Sequence, residues 1–226
     1  MKIANIPLIT YFASLILIAP LCIGVINIKA LKLSPLKIIF YYCILFTLYE
    51  IVGWFFALNR WQNHFITNLT NYTDILFWGY YYILVIKSKI SKNIIIGLMA
   101  TSLLIILWSH WGRDFNRIDA FAHSVTNICL ICIALIFFYQ LLSNLEVTNL
   151  FNYAHFWIGV AALVYFSGVF FTYIFSEYIA FNKNQQIIQY WYIKEYLTFI
   201  HRVFIAIGFW YGKELIVQSN NKIISM

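Results

Sequence analysis

The sequence predicts an all-α polytopic membrane protein, a bundle of seven transmembrane helices forming one domain over residues 1–226. Two features of the chain predict it. It is 63% hydrophobic and only 10% charged, whereas a soluble domain is about half apolar and about a quarter charged. Apolar runs of about 20 residues, enough to cross roughly 30 Å of hydrocarbon, recur from end to end. The polar stretches between them are no longer than loops, so no soluble catalytic or signalling module is expected.

In chain order the spans are expected at 7–28, 36–58, 70–86, 93–111, 118–142, 155–179 and 193–215. The first opens like a signal peptide, but its apolar stretch is too long and no small-x-small cleavage site follows. It is read as a helix bent near Pro20. Ser34-Pro35 breaks the chain before the second span. The third is the least apolar. The sequons Asn68-Leu69-Thr70 and Asn71-Tyr72-Thr73 stand at its start, where Thr70 or Asn71 is expected to cap the helix. Short loops favour antiparallel packing of sequential helices. Trp61, Trp108, Trp111, Trp157, Trp191 and Trp210 lie near segment ends, as interfacial belts require.

The net charge of +7 raises the question of nucleic acid. Its Lys and Arg residues sit at the ends of apolar runs, where they anchor helices and set topology, so nucleic acid is not an expected partner and the lipid bilayer is. The loops after the first and third spans hold Lys29, Lys32, Lys37, Lys87, Lys89 and Lys92, and the C-terminal side adds Lys213 and Lys222. The opposite side holds Lys2, Arg60, Arg113, Arg117, Lys183 and Lys194. The excess predicts an N-terminus outside and a C-terminus in the cytoplasm. The Ile-, Asn- and Lys-rich composition suits a bacterial inner membrane protein. Cys22, Cys43, Cys129 and Cys132 all fall within apolar runs. The Cys129-x-x-Cys132 pair lacks the strand-to-helix setting of a redox motif and is read as packing.

One residue of the second span does not belong in oil. A carboxylate such as Glu50 costs roughly 2.5 kcal/mol or more to insert, so it should face the bundle interior with a partner. The fifth span carries Asp119, His123 and Asn127 at four-residue intervals, on one helix face. The seventh carries Lys194, Thr198, His201 and Arg202 on a common face, and the third carries Asn71 and Asp74 near its start. Glu50 lies about eight residues from its helix end, roughly 12 Å deep at 1.5 Å per residue. His201 and Arg202 lie at a matching depth. Arg202 is therefore expected to pair with Glu50, within a polar cluster of Glu50, Asp119, His123, Asn127, His201 and Arg202 in the outer half. In the sixth span, Ser167-Gly168 and Ser176 are small residues that allow close helix approach.

Several stretches resemble an uncharacterised family of seven-helix integral membrane proteins common in Bacteroidota. They are Leu48-Tyr49-Glu50 and the Asn-containing loop after it, Phe156-Trp157-Ile158 leading to Tyr165-Phe166-Ser167-Gly168, and Ala206-Ile207-Gly208-Phe209-Trp210-Tyr211-Gly212. Asp74 stands where glutamate is typical of the group. The resemblance implies seven helices and an association with two-component regulators, but no activity.

The polar cluster points first to a sensory or accessory membrane component that binds a small or lipidic ligand, or a signalling partner protein. The alternative is a zinc-dependent intramembrane hydrolase acting on lipid, with His123, His201 and Asp119 as metal ligands. The H-x-x-x-H pair of such enzymes is missing. No other cofactor is expected. Buried Glu–Arg and His–Asn contacts also serve simply to fix helix register, and both readings are open at this point.

Overall fold

In the computed structural model, residues 8–111, 115, 117–143, 149–175 and 190–224 are described. They fold as nine α-helices: α1 (Leu8–Leu15), α2 (Ile18–Ile26), α3 (Ile28–Lys32), α4 (Leu36–Leu58), α5 (His64–Val85), α6 (Lys89–His110), α7 (Ala120–Ser143), α8 (Ala154–Ile174) and α9 (Tyr190–Ile224). One short 3-10 turn, Leu150–Asn152, precedes α8, and no strand occurs among these residues. Five segments are long and apolar enough to cross a membrane: α1 with α2 (Leu8–Ile26), α4, α6, α7 and α8. Their outer faces carry Leu48, Ile51, Leu104, Leu107 and Leu135, all exposed. A soluble surface does not present so broad an apolar coat.

The other two long helices, α5 and α9, fall short of that apolar standard for different reasons. α5 is enclosed by α4, α6 and α7. Trp78, Tyr81 and Tyr82 are fully buried on it, together with Asn68, Asn71, Thr73 and Asp74. A helix that meets other helices rather than lipid need not be uniformly apolar. α9 interrupts its apolar run with the buried His201 and Arg202.

The helices close into a ring. Each of α4 to α9 packs on the next, α9 returns to α1, α2 and α3, and α2 and α3 reach α4. α5 also packs on α7 across the ring. α8 and α9 approach each other closely. A Cβ at Gly168 would lie 2.5 Å from Leu197 Cδ1, and one at Gly208 would lie 2.7 Å from Ile158 Cδ1. Gly168, one of the small residues expected to allow close helix approach, stands at this contact.

Several element ends differ from expectation. The first segment breaks at Ile16–Leu17 rather than at Pro20. Proline lacks an N–H and crowds the carbonyl four residues earlier, which is that of Ile16. The chain responds there with a tighter turn, Leu17 N donating to Ser14 O at 3.3 Å and Ala19 N to Ile16 O at 3.0 Å. α5 begins at His64, with Asn63 as the preceding cap position, so neither Thr70 nor Asn71 caps it. Both lie inside the helix, and Asp74 sits near its middle rather than at its start. Asp74 is satisfied laterally by Tyr42 of α4, Thr70 bonds back to the Thr67 carbonyl of its own helix, and neither ends the helix. α9 runs on past Leu215 to Ile224, there being no glycine or proline after Gly212 to stop it. Arg113, Ser176 and Lys183 lie outside the described residues.

Candidate functional site

α4 packs on α5 to one side and on α2 and α3 to the other, while its backbone stands off from α9. The gap between them is a cavity of about 460 Å³. It lies at the end of the bundle formed by the start of α1, the second half of α4, the start of α5 and the start of α9. On α9 the lining positions are Lys194, Glu195, Thr198, His201, Arg202 and Ile205. Their spacing of three, four and seven residues follows one helix face.

Glu50 and Arg202 bridge the gap. Arg202 Nη2 donates to Glu50 Oε1 at 2.6 Å. Arg202 Nη1 donates to the carbonyl of Ala13. That carbonyl is available because of the break in the first segment: its regular helical donor, the N–H of Leu17, bonds to Ser14 instead. Glu50 Oε2 accepts from Ser14 Oγ at 3.3 Å, and Ser14 Oγ accepts from Trp54 Nε1 at 3.4 Å. The proline-induced kink, the buried arginine and the intramembrane carboxylate are thus one construction. The two charges are unequally enclosed, with 5% of the Arg202 side chain exposed against 33% for Glu50. A carboxylate has about four acceptor positions, so Glu50 keeps capacity on its open side.

His201 forms part of the cavity floor. Its Nδ1 lies 2.9 Å from the Ala161 carbonyl, which accepts only, so Nδ1 carries the proton. Nε2 is then a lone-pair acceptor, and it is buried without a partner. The ring is held among Tyr165, Trp78, Phe166 and Tyr42, with the Tyr165 centroid at 4.4 Å. Tyr42 Oη donates to Asp74 Oδ1 at 2.9 Å, and Tyr49 Oη lies 3.0 Å from Thr73 Oγ1, tying α4 to α5. Lys194 Nζ donates to Tyr173 Oη at 3.2 Å. Glu195 forms no hydrogen bond or close ion pair with a described residue.

The six residues singled out from the sequence fall into two groups. Glu50, His201 and Arg202 meet at the cavity, with Glu50 and Arg202 in direct contact as the depth match expected. Asp119, His123 and Asn127 do share one face, but that face does not line the cavity, because α7 packs chiefly on α5, α6 and α8. Asp119 precedes α7 and caps it, Oδ1 accepting from Ala122 N at 3.0 Å. Its Oδ2 accepts from Ser109 Oγ of α6. Asn68 completes the lock: its Nδ2 donates to the Phe115 and Arg117 carbonyls at 2.7 and 2.9 Å, and its Oδ1 accepts from Asp119 N at 3.3 Å. His123 stacks on Tyr173 of α8, centroids 4.1 Å apart and planes 8° off parallel. Asn127 is buried beyond it with an unpartnered Nδ2. Tyr173 links the groups, touching His123 on one side and the cavity's Lys194 on the other.

The alternative metal set is not assembled. His123 faces α8, Asp119 has both oxygens engaged in the α6–α7 lock, and His201 turns to the cavity with Nδ1 on a carbonyl. No three His, Cys, Asp or Glu side chains converge among the described residues.

Sequence reasoning missed Ser14, Trp54, Tyr165 and Glu195. Glu195 was legible, since it lies seven residues before Arg202 and so on the same helix face. Ser14 was not, because its role depends on where the first segment breaks. Among known proteins, no family model, no curated protein and no solved structure matches the chain. The functional reading therefore rests on this geometry.

Proposed function

We propose that the protein is an inner-membrane component that takes a small or lipidic ligand into the cavity between α4 and α9, in a sensory or accessory role. In this reading α5 and α9 cross the membrane with the five more apolar segments, for seven spans. α5 has 22 residues, which at 1.5 Å each reach roughly 33 Å, a bilayer core's thickness. The N-terminus and the cavity then face outside and the C-terminus the cytoplasm, as the distribution of Lys and Arg favours. The observation that carries the reading is that charged groups line a cavity of about 460 Å³. Charges inside a membrane bundle are costly, and a packed bundle held together by an ion pair alone needs no open volume beside it.

Thr198 lines that cavity, and Thr198→Trp fills it. Protein purified in mild detergent is expected to carry a bound small or lipidic mass by native mass spectrometry. The same mass is expected to be absent from Thr198→Trp at an unchanged unfolding midpoint. A purified protein with no bound mass, or one equally loaded in both forms, contradicts the reading. Cysteines placed at Trp61 and at Lys89 in a cysteine-free background test the orientation. Only the first is expected to react with an impermeant thiol reagent in whole spheroplasts.

A further inference from the structure

A second depression adjoins the cavity. It is a groove of about 410 Å³ between α1–α2 and α4, walled by apolar side chains including Ile18, Ile51, Phe55 and Leu58, which are exposed. Cavity and groove share four residues, Ser14, Leu17, Glu50 and Trp54. One face of the hydrogen-bonded Trp54–Ser14–Glu50 chain therefore lines a polar chamber, and the other lines an apolar channel on the outside of the bundle.

We infer that the ligand is a membrane lipid whose alkyl chain lies in the α1–α4 groove and whose zwitterionic head, bearing a primary ammonium and an anionic group, enters the cavity. This rests on the ligand-binding reading above and names its substrate class. The groove fits a hydrocarbon chain because its walls are apolar and, in that reading, its open side meets the acyl region of the bilayer. The head follows from the valences left open. Arg202 has its charge matched by Glu50 and a second N–H on the Ala13 carbonyl, so it draws an anion less than Lys194 does. Lys194 donates to the Tyr173 hydroxyl and lies over its ring, with no carboxylate at ion-pair distance among the described residues, so its charge is open to an anionic group. Glu195 forms no ion pair, and His201 Nε2, on a ring only 4% exposed, is an acceptor without a donor. A carboxylate and an imine nitrogen both call for N–H donors. A primary ammonium brings three, whereas a quaternary ammonium brings none and a glycerol head brings no positive charge. Aromatic rings of Trp54, Tyr49 and Tyr165 in the same walls suit a cation further.

The test uses the full-length protein in detergent micelles with three lysophospholipids of one palmitoyl chain, carrying ethanolamine, choline or glycerol heads, and free phosphoethanolamine. Binding is read by native mass spectrometry titration. The ethanolamine lipid is expected to bind about tenfold more tightly than either other lipid, the worth of one charge-assisted hydrogen bond. Glu195→Gln is expected to abolish that preference and Glu195→Asp to retain it. Ile51→Trp, which fills the groove, is expected to reduce the ethanolamine lipid to the level of free phosphoethanolamine. Equal binding of the three lipids in wild type and Glu195→Gln overturns the inference about the head. Ethanolamine-lipid binding unchanged by Ile51→Trp overturns the groove and leaves the ligand-binding reading intact. Retention of no probe above the detergent background overturns both.

Discussion

The two ends of polar chemistry in this bundle are built differently. At the α6–α7 turn, Asn68, Ser109 and Asp119 are hydrogen-bonded to one another and to backbone groups, with both carboxylate oxygens of Asp119 and both ends of the Asn68 amide engaged. At the α4–α9 gap, Glu50 and Arg202 pair, yet Glu195 and His201 Nε2 remain open beside a cavity. The first arrangement uses up the polarity of the trio, and the unpartnered His123 Nε2 and Asn127 Nδ2 beyond it do not line the cavity. The second fixes two helices and still presents unused charge and an unused lone pair. Buried polarity alone therefore does not mark a site in a membrane bundle, whereas unsatisfied polarity next to volume does.

Breaking the pair at the gap has the largest expected effect. Arg202→Met leaves Glu50 without its cation and the Ala13 carbonyl without a donor, and is expected to cost about 3–5 kcal/mol in reversible unfolding. The double variant Arg202→Met with Glu50→Gln is expected to recover much of that loss, since no uncompensated charge remains. A double variant no better than the single one would show that the pair is not the source of the cost.

Gly208→Leu is expected next, at about 1–3 kcal/mol, because its side chain must enter space held by Ile158 and the Ala154 carbonyl. It acts on the α8–α9 contact rather than on either polar cluster, so its effect should add to that of Asp119→Ala within error. At the α6–α7 lock, Asp119→Ala removes the cap of α7 and is expected to cost about 0.5–2 kcal/mol. The smallest effect on stability is expected at Glu195→Gln, within about 0.5 kcal/mol, because that carboxylate has no bonded partner to lose. Thermal or denaturant unfolding in detergent measures all four on one scale.

The legible part of the fold was what apolar runs and charge dictate. The Ser34-Pro35 break, the α4 boundaries and the partner of Glu50 follow from span lengths and from one rule, that a charge in oil needs a mate. The start of α5 was hidden because Asn68, Asn71 and Asp74 look like helix-start residues in a sequence and are lateral contacts in the bundle. The split between the Glu50 and Asp119 groups was also hidden. Depth along a helix can be counted from a sequence, but which helices are neighbours cannot, and α7 packs on α5, α6 and α8. Glu195 could have been found from its spacing to Arg202, and the Ala13 carbonyl could not, since it is freed only by the exact place of the kink.

The division of roles between the two clusters is tested most directly by one paired experiment, reading unfolding midpoint and bound mass together on Glu195→Gln and Asp119→Ala. Glu195→Gln is expected to keep the midpoint and retain less of the mass that wild type carries, while Asp119→Ala is expected to lower the midpoint and keep the mass. Loss of bound mass in Asp119→Ala with retention in Glu195→Gln, or parallel changes in both, would contradict the assignment of the α4–α9 gap as the binding site.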